Sequence, residues 1–201
     1  AVVLVLGCAV LLGWILGIPV LKSIHPAWVS MKVNTALAFA WSGLGLFLVA
    51  AGEQRRPLFR CLTGFLAAGV VLAGALTLLE YAAGLNLGID EALFREDAHA
   101  VATVHPGRMA PLTAVSFLLV GMALTFAAAG RQPALMQLSA FLVGLFGFLS
   151  LLGYFLGDTS LGSPAGFTPM AVNTSLAFMF LSMGILALRP AAGWMALVTG
   201  A

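Results

Sequence analysis

Six runs of apolar residues, at about 2–21, 33–51, 61–84, 111–129, 134–156 and 170–188, are separated by short polar stretches. At 1.5 Å per residue, runs of about twenty residues match the roughly 30 Å of a bilayer's hydrocarbon. None carries the polar face of a soluble surface helix, so the pattern predicts lipid-embedded helices. Nor do the runs alternate every second residue, as the strands of a membrane barrel would. The expectation is an all-α polytopic membrane bundle of six transmembrane helices.

Composition agrees: the 201 residues are 62% hydrophobic and 8% charged, too little polar surface to cover a soluble core. A net charge of +2 provides no dense basic face for nucleic acid. Cys8 and Cys61 sit in apolar runs and cannot form a disulfide framework. Arg55, Arg56, Arg60, Arg131 and Arg189, with the single acid Glu53, fall on one side of the predicted spans. The other side holds Lys22, Lys32, Arg95 and Arg108 with Asp90, Glu91, Glu96, Asp97 and Asp158. The positive-inside rule makes the arginine-rich side cytoplasmic, with both ends there. The first run lacks the basic leader and small-residue cleavage site of a signal peptide, so it is read as a span.

One phrase recurs three times. Odd spans end in Leu12, Trp14 and Gly17; in Leu79, Tyr81 and Gly84; and in Leu152, Tyr154 and Gly157, at identical spacing. Even spans open with Met31, Thr35 and Phe39; Met109, Thr113 and Phe117; and Met170, Thr174 and Phe178, followed by Gly43, Gly121 or Ser182. Offsets of four place each set on one helical stripe, where small residues and threonines suit helix contacts in lipid. The chain is therefore expected to be a single integral membrane domain, 1–201, of three quasi-repeated hairpins, at about 1–52, 60–130 and 134–189. Packing alone accounts for much of this stripe. The amides of Asn34 and Asn173, one turn inside their helices, ask for more, because an amide there needs a partner or a wet cavity. Asn34, Thr35, Thr113, Asn173 and Thr174 are accordingly candidates to line one site near the outer leaflet; the middle repeat has Leu112 where the others have asparagine.

The middle repeat departs in two further ways. Gly84 and Met109 are 25 residues apart, against 14 and 13 in the other copies, so an insertion spans roughly Gly88 to Arg108, expected to form a short interfacial helix or lid. Glu80 also replaces Gly13 and Gly153, an acid inside an apolar run that must be paired, protonated or functional. Arg108 is the favoured partner, His105 the second, and Tyr81 offers a hydroxyl beside it; a purely structural ion pair is the alternative. Asp97, His99 and His105 match no strong metal spacing, so no metal is expected. No histidine falls within a helix core to hold a membrane haem, and the sequence leaves any other cofactor open. No phosphate loop, nucleophile elbow or metalloprotease signature is present, so no catalytic residue is assigned and an enzyme is not expected.

The phrases Gly17–Lys22, Met31–Phe39, Leu87–Phe94, Pro106–Thr113 and Thr168–Phe178 resemble the N-terminal multi-span membrane region of bacterial signalling proteins. In those proteins the region precedes PAS, diguanylate cyclase or histidine kinase modules. The resemblance implies a sensory input domain in a bacterial inner membrane, part of a longer chain whose effector lies beyond residue 201. Its partners would be membrane lipid, a small apolar ligand, a C-terminal signalling module or a second copy of the chain. A structural or accessory subunit that binds a larger membrane complex, lipid or pigment is the second expectation. A transporter is a third, disfavoured because polar residues gather at one leaflet instead of the midplane.

Overall fold

A computed structural model describes residues 1–52, 56–97, 99–158, 161 and 166–200. Glu53 and Arg55 of the charge argument lie outside them. The described residues form eight helices: α1 (Val2–Ile15), α2 (Pro19–Lys22), α3 (Val33–Ala50), α4 (Pro57–Ala83), α5 (Pro111–Ala129), α6 (Pro133–Leu156), α7 (Val172–Leu186) and α8 (Met195–Thr199). The fold is all-α, and α3, α4, α5 and α6 are each long and apolar enough to cross a membrane.

Local chemistry sets many of the ends. Proline opens α2, α4, α5 and α6, where a missing N–H costs nothing and the fixed φ suits a first turn. Gly84, Gly130 and Gly157 close α4, α5 and α6 in the left-handed conformation that terminates helices. The same chemistry shortens the first and last apolar runs. Gly17, at φ +67°, breaks the run 2–21 after fourteen helical residues, and the chain restarts at Pro19 as the single turn α2. The run 170–188 keeps fifteen helical residues, because Ala171 is extended and α7 begins only at Val172. At about 21 and 22 Å these two helices are shorter than the hydrocarbon layer.

The closest helix neighbours are α4 with α5, α6 with α7, and α1 with α3. Each pair meets at glycine. A Cβ on Gly7, Gly74 or Gly147 would sit 2.8, 2.5 or 2.7 Å from the carbonyl oxygen of Ala36, Ala114 or Ser175, so backbone touches backbone at the same register in every pair. The even helices answer with Gly43 against Leu4, Gly121 against Val71, and Ser182, whose hydroxyl donates to the Ala140 carbonyl at 2.6 Å.

At the centre α3, α5 and α7 touch one another, with α1, α4 and α6 outside them. Phe39, Phe117 and Phe178 form a closed triangle there, with centroids 4.9, 4.6 and 4.9 Å apart in tilted and edge-on contacts. All three are fully buried. On the arginine-rich side Gln137, also fully buried, ties down the chain after α7. Its nitrogen donates to the Arg189 and Ala192 carbonyls, and its oxygen accepts from the Trp194 and Met195 N–H groups. A buried amide with all these bonds is a satisfied core residue.

Candidate functional site

Glu80 occupies the last turn of α4. Gly84 then reverses the chain, and the Leu87 N–H returns to donate to Glu80 Oε1 at 2.7 Å. Arg108 reaches the same place from the far end of the insertion. Its Nη2 lies 3.4 Å from Glu80 Oε1 and donates to the Leu85 carbonyl at 3.1 Å, while its Nε donates to Asp90 Oδ2 at 2.6 Å. The guanidinium also lies 5.2 Å from the centre of the Tyr81 ring, close enough for cation–π attraction. Glu80 is fully buried, and the side chains of Arg108 and Asp90 are each only 6% exposed.

Two acids share one base here. Glu80 Oε2 and Asp90 Oδ1 are buried and have no hydrogen-bond partner among the described residues. Burial pushes the Asp90 carboxyl above its ordinary 3.8; the Arg108 guanidinium opposes that rise, and Glu80 adds to it. A proton held between the two carboxyls would give both orphaned oxygens a partner and leave the trio neutral. Beside the trio opens a cavity of about 380 Å³, bordered by Tyr81, Asn86, Glu91, His105 and Phe167. Tyr81 holds one wall: its hydroxyl donates to the Met109 carbonyl at 3.0 Å, and its ring meets His105 and Phe167 edge-on.

The insertion is fastened at a second point. Lys32, immediately before α3, brings its Nζ to 2.6 Å from both oxygens of Glu96, and the Ser30 hydroxyl and Gly107 N–H donate to the same carboxylate at 2.8 Å. Burial lowers the Lys32 pKa, and Glu96 works against that shift. The Val104 N–H donates to Thr168 ahead of α7, so the insertion reaches the segments that precede α3 and α7. It contains no helix among its described residues, so of the expected interfacial helix or lid the helix is not formed; Ala98 lies outside them. Gly88 and Gly107 at positive φ, together with side-chain bonds to backbone, hold it as turns.

The sequence candidates separate into three places. Glu80, Tyr81 and Arg108 meet beneath the insertion. Thr35, Thr113 and Thr174 converge on the central seam, around a void of about 10 Å³ that at most one water could enter. Asn34 and Asn173 share neither place. Each uses its Oδ1 to accept the N–H of the following threonine, but Asn173 Nδ2 donates to the Lys22 carbonyl while Asn34 faces a cleft between α3 and α4. The single pocket lined by both amides is therefore not formed: a carbonyl of the first repeat's loop covers one, and the other lies at a different helix contact.

Sequence reasoning missed Asp90, Lys32 with Glu96, and Gln137. Acids in a loop look solvated, and only the folded chain brings Asp90 to Arg108. Among the described residues no group of three or more His, Cys, Asp or Glu side chains is assembled that could hold a metal. No protein-family model matches the chain, and no curated protein or solved structure is significantly similar to it. The geometry therefore supports a multi-pass, largely apolar membrane bundle with a buried polar cluster at one end.

Proposed function

We propose that the chain is a sensory input domain of a bacterial signal-transduction protein, spanning the inner membrane six times as three quasi-equivalent hairpins with both ends cytoplasmic. It would relay and not catalyse. One observation carries this reading: an acid–base trio, Glu80, Asp90 and Arg108, is buried under an insertion that only the middle repeat possesses. A buried ion pair is a poor way to stabilise a bundle and a good way to make one conformation depend on charge and on what enters beside it. A small ligand in the adjoining cavity, or a change in the membrane at that depth, would favour one of two packings of the insertion on α4 and α5. The shift would reach an effector through the segment after α7.

The test has two parts. The complete open reading frame should join this region to a kinase, cyclase or comparable effector. In that full-length protein Glu80→Gln should change effector output while membrane insertion stays normal. A reading frame without an effector, or an output unaltered by Glu80→Gln, overturns the proposal. Stoichiometric copurification with a larger membrane complex would instead support the accessory-subunit reading.

A further inference from the structure

We infer that the cleft between α3 and α4 binds a neutral, carbonyl-bearing lipophile that enters from the bilayer and accepts a hydrogen bond from Asn34 Nδ2. The site is separate from the polar cavity beneath the insertion and stands whether or not the chain relays a signal.

The argument starts from two asparagines at equivalent repeat positions. Both accept the next residue's N–H, at 2.7 and 3.1 Å. Asn173 Nδ2 then donates to the Lys22 carbonyl at 3.0 Å, whereas Asn34 Nδ2 has no partner among the described residues. Asn34 is partly exposed and lies on a cleft of about 420 Å³, within the range of small-molecule sites. Asn34 sits at the second position of α3 with its Nδ2 unpaired at the cleft, so an acceptor arriving there gains the bond that Lys22 supplies to Asn173.

The walls define the rest of the occupant. Asn34, Leu37, Ala38 and Trp41 form one face of α3, and Phe65 and Gly69 face them from α4. Gly69 is required: a Cβ there would lie 2.1 Å from the Trp41 indole, which rests on the bare backbone. Trp41 and Phe65 have centroids 6.0 Å apart. Trp41 is two turns, about 10 Å, along the helix from Asn34, so an acceptor at the amide leaves a flat ring or short tail against the indole. No charged residue borders the cleft, and the nearby Lys32 is bound to Glu96. An anionic head would find no counter-charge, and a neutral carbonyl finds a donor.

The chain in phosphatidylcholine nanodiscs, titrated with decylubiquinone, tests this. Trp41 emission is read as the difference between wild type and Trp41→Phe. The expected result is saturable quenching, weakened about fivefold by Asn34→Leu, the loss of one neutral hydrogen bond of about 1 kcal/mol. Ala68→Leu, a change at an exposed position on the cleft wall, should abolish saturation with the helix content unchanged. Asn173→Leu should leave the affinity as it was. Quenching that never saturates, or an Asn34→Leu affinity equal to wild type, overturns the inference. So does quenching of Trp41 by brominated phosphatidylcholine that decylubiquinone fails to relieve, because the cleft is then a lipid seat.

Discussion

The centre of the bundle and its rim treat the same recurring phrase differently. At the centre, Phe39, Phe117 and Phe178 are interchangeable: equally buried, and nearly equidistant. At the rim, the aromatics at equivalent positions share one bond in two copies and differ in the rest of their surroundings. Trp14 donates to the Met31 carbonyl and carries Lys22 over its ring at 4.5 Å. Tyr81 donates to the Met109 carbonyl and stacks on Arg108. Tyr154 packs against Trp28 with its buried hydroxyl beside the Val29 backbone, while Ser150 contacts the Met170 carbonyl at 3.4 Å. Dispersion and close packing need sameness, and the same Phe recurs where three helices share one interior. Polar chemistry needs individual partners, so the copies diverge most at the polar rim.

The largest effect separating the two regions should come from Arg108→Met. It removes the one base between two buried acids and should cost about 3–5 kcal/mol, read as a fall in thermal stability of the detergent-solubilised chain. A loss below about 1 kcal/mol would show the trio to be solvated and the rim contrast to be empty.

Next is a dependence on pH confined to the rim. Folding raises the Asp90 pKa above 3.8, so the folded state holds that proton more tightly than the unfolded chain. The resulting stability is complete below about pH 4 and is lost as pH rises through the folded value. Melting temperature should therefore decline from pH 4 upward and decline less in Asp90→Asn. Because His105, Glu91 and Tyr81 border the same cavity, the difference between the two slopes is the measurement. Lys32, lowered from 10.5, works in the opposite direction and at the alkaline end, where stability should increase towards pH 10.5.

The smallest effects sharpen the contrast among the aromatics themselves. Tyr81→Phe should cost about 1 kcal/mol, one hydrogen bond to a carbonyl that stays behind. Tyr154→Phe should cost less, because the contact of its hydroxyl with the Val29 backbone falls short of a full hydrogen bond. Equal losses in the two variants would show that the corners are not differentiated.

Much of this was legible in the chain. Apolar run lengths gave the all-α bundle, and the offsets of Met, Thr and Phe marked the stripes that became the central seam. The anomalous acid at Glu80 pointed to Arg108 across its own repeat. What escaped depends on contacts far apart in sequence. Asp90 was one loop acid among several until the turn at Gly84 brought it under Arg108. Asn34 and Asn173 read as equivalent because their neighbours along the chain are alike, and they differ only because Lys22 arrives beside one of them. Of the two forms expected for the insertion, a helix or a lid, the helix is absent from its described residues, because turns at Gly88 and Gly107 and acid-to-backbone bonds hold the segment instead.

Gln137 has a mechanical consequence. Four bonds rivet the strip from Arg189 to Met195 onto the start of α6, so a pull or twist applied there is borne by two rods at once. A piston stroke of α7 alone would have to tear that amide from all its partners; a rigid tilt of α6 and α7 together would break none.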